Sequence, residues 1–202
     1  MITKLIGIAG GTSSGKTTLL KKLKEQLGDN VSTLSFDEYF IGSDLYNLND
    51  ITNFEDPKLY NWPKLLEDLT QLSEGRSITI RANSRESAEQ GVKEKAVEAR
   101  AKIIVEGWLV FYDPEISALF DKKIFIEVPD QEIIKRRHAR TSGTRHWDSH
   151  EYINSKILPN HHMYVDPQKR LADLILDGLL PVEVLVGQVV KFMQKEAPKA
   201  SE

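Results

Sequence analysis

Residues 10–17 read GGTSSGKT, and they stand between an apolar run at 5–9 and a segment with Leu19, Leu20, Leu23 and Leu27 at helical spacing. The order is strand, glycine-rich turn, helix, and Gly10, Gly15, Lys16 and Thr17 satisfy G-x-x-x-x-G-K-[ST]. Few backbones accommodate that order. The glycines let the chain turn so that successive N–H groups converge, and the helix opening near Lys16 adds the positive end of its dipole. The stretch Gly10, Gly11, Thr12, Ser13, Ser14, Gly15, Lys16, Thr17 and Thr18 is therefore expected to cradle the phosphates of ATP. Lys16 supplies a point charge to the β and γ phosphates, and the Thr17 hydroxyl is placed for Mg²⁺. The plainer reading is a glycine turn that fits by chance; the flanking strand and helix argue against it.

The same alternation continues along the chain. Short apolar runs at 31–36, 103–105, 124–128 and 174–176 read as further buried strands. Helices are expected from Pro63 to Gly75, after Asp113-Pro114, over 130–141, from about 150 to Tyr164, and over 182–193. Residues 37–62 show no clear period, 77–101 fit a hairpin or a helix equally, and 142–150 read as a polar loop. Buried strands alternating with helices predict an α/β fold, a doubly wound, mostly parallel five-stranded sheet. One domain is expected over 1–202, with an excursion at about 38–101 and a mobile cover at about 137–150.

Ligands of such sheets bind at the carboxyl ends of the strands. Asp37 follows the second strand and Glu106 the third. Either could be a helix cap or a surface charge. The functional alternative makes Asp37 a base for a substrate hydroxyl and Glu106 a holder of Mg²⁺. Glu38 is the weaker base candidate, because alternation points it away from Asp37. Lys135, Arg136, Arg137, Arg140 and Arg145 are either a solvated basic face or a lid whose guanidinium forks meet polyphosphate. His146, His150, His161 and His162 lack the spacing of a zinc site. Trp62, Trp108 and Trp147 read as packing residues, with Trp108 and Tyr112 the better stacking candidates near Glu106.

Charge and composition narrow the partners. The net charge of −3 provides no global field for nucleic acid. There is no cysteine, which excludes disulfide scaffolds and thiolate chemistry. The N-terminus does not read as a signal peptide, and no apolar run is long enough to span a membrane. A cytoplasmic protein, with neither nucleic acid nor membrane as partner, is expected.

These residues resemble the uridine kinase group of P-loop small-molecule kinases, with nicotinamide riboside kinases close by. The likeness runs over about 4–178, through IGIAGGTSSGKTT, LSFDEYF, NFEDPKLYNWPKLLEDLTQLSEGRSI, IIVEGWLVFYDPEISALFDKKIFIEV, RRHAR and VDPQKRLADLIL. It implies a P-loop kinase fold with a substrate-binding excursion and a lid. Asp37 then matches the catalytic aspartate, and Thr17 and Glu106 the magnesium positions. Arg137 and Arg140 match lid arginines that act on ATP during transfer, with Arg145 as a third. Phe40 and Glu55 match the nucleoside pocket. Relatives are often homo-oligomers. The family's P-x-Y-D segment and the His and Arg after it are replaced by TIRANSRESAEQ, where only Arg85 corresponds. The lid is also a few residues shorter, reading SGTRHW.

The leading reading is a kinase for a primary hydroxyl of a small molecule, most naturally a nucleoside. Nicotinamide riboside, pantothenate or another small alcohol is the alternative acceptor. A regulatory P-loop NTPase stands behind these, although N-K-x-D and L-S-G-G-Q signatures are both absent.

Overall fold

The computed structural model describes residues 3–45, 51–141 and 149–194, without the side chains of Ser43, Arg85, Glu86, Arg140 and Thr141. In chain order the elements are β1 Lys4–Gly10, α1 Lys16–Leu27, β2 Val31–Ser35, α2 Gly42–Leu45, α3 Trp62–Ser73, β3 Ile78–Arg81, α4 Arg85–Glu89, β4 Glu94–Val97 and β5 Lys102–Gly107. There follow α5 Pro114–Ala118, β6 Lys122–Glu127, α6 Asp130–Thr141, α7 His150–Tyr152, α8 Leu158–Asn160, β7 Leu174–Asp177 and α9 Val182–Gln194. Five strands form one sheet in the order β2-β5-β1-β6-β7, and every pairing in it is parallel.

The strand alternation divides the core between the two faces of this sheet. On β1, Ile6 and Ile8 turn to one side, where Leu19 and Leu23 of α1 and Leu185 and Val189 of α9 cover them. Leu5 and Ala9 turn to the other, against Leu65, Leu69 and Leu72 of α3 and the aromatic group Phe36, Tyr60, Trp108 and Phe111. Leu23 is fully buried; truncation to Ala would cost about 2–5 kcal/mol. On β5 the parity puts Glu106 on the same face as Ile104, the α1 face.

Local signals account for the helix ends. Asn61 accepts from Lys64 N at 3.1 Å to start α3, and Gly75 closes it with φ 81° and an N–H to Leu72 O. Asp113 Oδ1 accepts from Glu115 N and Ile116 N, so the Asp-Pro pair opens α5 as expected. The second strand is one residue shorter than its apolar run. Phe36 leaves it for a 3₁₀ turn, Phe36–Tyr39, which Ser35 Oγ caps.

The ambiguous stretch 77–101 combines both readings. β3 and β4 pair antiparallel, Ile78 opposite Val97, and the single turn α4 lies between them. Beyond α7, one helical run continues to Leu171 with changing pitch. π-helical turns at Ile153–Ile157 and His161–Val165 flank α8, and a 3₁₀ segment covers Asp166–Leu171. Pro159 and Pro167 each remove a ladder donor inside that run.

Candidate active site

The pairing register brings three strand ends to one level. Ser35 of β2 lies beside Glu106 of β5, and Ile8 of β1 beside Glu106 on the other side. The loop 10–15 therefore starts directly above Glu106. It holds two conformations that favour glycine, at Gly10 (φ 156°) and Gly15 (φ 98°). Ser13 also has a positive φ of 58°, local strain of the kind that accompanies ligand-binding turns. Gly15 precedes α1 with no side-chain cap, and the first turn of α1 has no acid. No side chain caps the N–H groups there, and the positive end of the helix dipole favours an anion. Ser13 Oγ and Ser14 Oγ are buried without a hydrogen-bond partner among the described residues. Lys16 Nζ reaches back to Gly11 O at 2.8 Å, so its ammonium lies over the loop, and Thr18 is exposed in the same helical turn.

Beneath the loop the oxygens converge. Glu106 Oε1 accepts from Ser35 Oγ at 2.9 Å and from Thr17 Oγ1 at 3.4 Å. Glu106 is 4% exposed. Burial pushes its carboxyl above the ordinary range, the Lys16 charge opposes this, and Asp37 adds to it. That mutual influence places Lys16, Asp37 and Glu106 in one electrostatic group. Asp37 is the exposed member, in the turn after β2, and its N–H lies 3.4 Å from Ser35 Oγ. Glu38, next to it, is buried; strand alternation is not the reason, since the extended backbone ends at Ser35 and the 3₁₀ turn separates the two carboxylates.

A second group adjoins the first. Glu55 is half-buried, and burial raises its carboxyl, with Arg137 and Lys16 opposing and Asp37 reinforcing. Burial likewise raises the Tyr60 hydroxyl well above its usual range, helped by Asp37 and Glu55. The half-buried Phe40 ring lies 5.7 Å edge-on from Tyr60 and 6.5 Å from Phe54. Glu55 and Tyr60 thus lie within electrostatic reach of Asp37, and Phe40 packs on Tyr60. Arg137 Nη1 donates to Thr12 Oγ1 at 2.6 Å, which brings α6 to the loop. The side chains of Arg140 and Arg85 and the whole of Arg145 lie outside the described residues.

The aromatic side chains divide between packing and exposure. Trp108 is buried, and its Nε1 donates to Tyr60 Oη at 3.1 Å, so its packing reading holds and it offers no open face for stacking. Tyr39 is buried, and its hydroxyl donates to Asp68 Oδ2 at 2.9 Å. Tyr112 is exposed but faces Trp62 and Tyr164. Among the described residues no group of three or more His, Asp or Glu could hold a metal ion.

Two neighbours of the loop carry little sequence signal. Arg136 donates to Gly178 O at 2.8 Å and Ser13 O at 3.4 Å, with Glu132 orienting it at 2.8 Å. Its i,i+4 acid is the one local hint. His161 is buried with its ring against Gly11, and its Nε2 meets Asp166 Oδ1 at 3.0 Å. Burial holds its imidazole below the usual range. Nothing local announces a contact across 150 residues of chain.

The comparisons agree with this geometry. The Phosphoribulokinase / Uridine kinase family matches residues 5–184. A uridine kinase of Clostridium novyi (strain NT) is 29% identical over 203 aligned residues, covering 95% of this chain and 97% of its own length. One from Ligilactobacillus salivarius (strain UCC118) is 30% identical, covering 95% and 94%. The fold also resembles the solved phosphoribulokinase of Rhodobacter spheroides, with a TM-score of 0.63 at 15% identity over 90% of this chain and 74% of that one. With a strand–loop–helix cradle, two carboxylates at adjacent strand ends and this match over most of its length, the chain belongs to the Phosphoribulokinase / Uridine kinase family and is an ATP-dependent kinase.

Proposed function

We propose that this kinase moves the γ-phosphoryl group of ATP to a primary hydroxyl of a nucleoside-like acceptor, in the manner of uridine and cytidine kinases. The observation that carries the reading is the geometry at the mouth of the loop: Glu106 Oε1 accepts from Thr17 and Ser35, Ser35 Oγ also caps the turn that carries Asp37, and Lys16 Nζ lies on Gly11 O. Gly10 to Thr18 hold the triphosphate. Lys16 neutralises the β and γ oxygens, and Arg137, with Arg140 and Arg145, closes over them. Asp37 takes the proton of the acceptor hydroxyl. The hydroxyl oxygen forms the new bond to γ-phosphorus, the bond from γ-phosphorus to the β,γ-bridging oxygen breaks, and ADP leaves.

Thr17, Ser35 and Glu106 offer an oxygen-only donor set, which fits a hard cation such as Mg²⁺. Thr17 and Glu106 would hold it, Glu106 directly or through water, and the bound ion supplies charge neutralisation on the phosphates. Glu106 is ionised more readily with a cation beside it, which offsets the effect of burial.

On the acceptor side we assign Phe40, Glu55 and Arg85, within an excursion at about 38–101, and a lid at about 137–150. The half-buried Phe54 adds an aromatic edge. The kinships named above support a nucleoside. The segment TIRANSRESAEQ lacks the tyrosine and histidine that hold a pyrimidine edge, and weak polar readout discriminates weakly between bases. Uridine and cytidine are then poor substrates, or are matched by nicotinamide riboside, pantothenate or another small alcohol. A panel of kcat/KM values at saturating ATP tests this. Strong, exclusive preference for uridine and cytidine would refute the weak-readout argument. Turnover of pantothenate with none of any nucleoside would overturn the acceptor class.

A further inference from the structure

The 3₁₀ turn Phe36–Tyr39 gives two adjacent carboxylates different surroundings. Asp37 is exposed towards Lys16 and Glu106, whereas Glu38 is 3% exposed and turned into the hairpin of β3 and β4. Four donors converge on Glu38. Ser84 N donates to Oε2 at 2.8 Å, Ser84 Oγ and Ser87 Oγ donate to Oε1 at 2.7 and 2.8 Å, and Lys95 Nζ also meets Oε1. The two hydroxyls lie 2.8 Å apart, and Ser84 Oγ accepts from Ser87 N at 3.1 Å. One carboxylate thus joins the residue before α4, α4 itself and β4.

The base of the hairpin is held differently. Ile78, Ile80 and Val97 enter the apolar core with Leu65, Leu69 and Leu72. Apolar burial is non-directional and would let the hairpin tip shift without much loss. Towards the tip, residues 88–91 are exposed. The ion pair of Arg81 with Asp44, at 2.6 and 3.0 Å, is exposed and worth little. A buried carboxylate is an expensive way to add stability, since its desolvation consumes most of what pairing returns. Its directional bonds supply what apolar contact cannot, a single position of the hairpin relative to the turn.

We propose that Glu38 is a positioning residue for phosphoryl transfer: it locks the β3–β4 hairpin to the turn that carries Asp37, so that the acceptor wall and the proton-accepting carboxylate are held in one register. The inference rests on the proposed acceptor site. It assigns the buried serines Ser84 and Ser87 and the half-exposed Lys95 to the same task. None of the four side chains touches ATP in this account.

Lys95→Met and Glu38→Gln test it, singly and together. Lys95→Met keeps the stem of the side chain and leaves the turn unaltered. Glu38→Gln keeps the shape but places an amide opposite donors. Each single variant is expected to raise the acceptor KM about 10-fold or more with the ATP KM within about twofold, because the hairpin forms the proposed acceptor wall while the ATP loop is untouched. The double variant is expected to be no worse than the poorer single one, since both act through the same lock. Amide exchange should quicken in β3 and β4 and stay unchanged in β1 and β5. The proposal is overturned if acceptor and ATP constants shift together, if the two substitutions add, or if exchange quickens with the acceptor KM unchanged. Wild-type turnover of an acceptor tests the proposed function, and the ratio of variant to wild-type KM tests Glu38, so the two failures are separate results.

Discussion

Gly11→Ala puts the contact between the phosphate loop and the distant His161 to a direct test. A Cβ at Gly11 would lie 2.5 Å from both Cε1 and Nδ1 of His161. Ordinary contact begins near 3.4 Å, so ring and loop must part by about 1 Å. Gly11 has no positive φ, so alanine brings no backbone strain and the whole effect is the collision. The ring has little freedom to yield, since His161 is 8% exposed and tied to Asp166. Overpacking of this kind costs about 1–3 kcal/mol. In a chain of this size each kcal/mol lowers Tm by about 2–4 °C, so a fall of about 2–12 °C is expected. The assay is a thermal melt of four proteins: wild type, Gly11→Ala, His161→Ala and the double variant. His161→Ala removes the ring, and in that background Gly11→Ala should cost less than about 0.5 kcal/mol. An equal cost of Gly11→Ala in both backgrounds would refute the contact.

Three further substitutions address the chemistry. Lys16→Ala is expected to abolish phosphoryl transfer with the melting curve preserved, because the ammonium is assigned to the β and γ phosphate oxygens and its stem is not part of either apolar core cluster; activity assay and melt together check it. Glu106→Gln should raise the Mg²⁺ concentration needed for half-maximal activity, and an unchanged titration would refute the metal role. For Glu38, burial pushes the carboxyl up but the hydrogen bonds from Lys95, Ser84 and Ser87 outweigh it and hold it below the ordinary carboxylate range. A depressed folded-state value contributes stability above the unfolded value and loses it as pH falls through the folded one. Wild type should therefore lose more stability than Glu38→Gln between about pH 5 and 3, read by acid unfolding.

What the sequence made legible was local. The loop announced itself because strand, glycines, lysine and helix are contiguous. Glu106 was recognisable because a buried run ends on it, and α5 because Asp113 and Pro114 stand side by side. The order β2-β5-β1 could not be read, since it depends on pairing between strands far apart in sequence, and that order is what brings Ser35 and Glu106 together. At 77–101 the hairpin and helix readings stood level, and each holds over a few residues: Ile78–Arg81 pairs with Glu94–Val97, and Arg85–Glu89 makes one helical turn between them. Trp108 packs, as expected from the sequence, and the stacking alternative fails because its indole is turned to Tyr60. Glu38 was discounted as a base on parity alone; the serines and lysine that give it another task lie 46 to 57 residues away.

The central claim is that ATP turnover needs an acceptor hydroxyl and that Asp37 takes its proton. It is tested most directly by ADP release measured with and without acceptor alcohol, in wild type and in Asp37→Asn, alongside the ATP dissociation constant of each. The account predicts acceptor-dependent release in wild type, a loss of about 10²-fold or more in Asp37→Asn, and nearly equal ATP affinity in the two proteins. Release that ignores the acceptor, or an Asp37→Asn protein that loses ATP affinity while its single-turnover chemistry is intact, would contradict it.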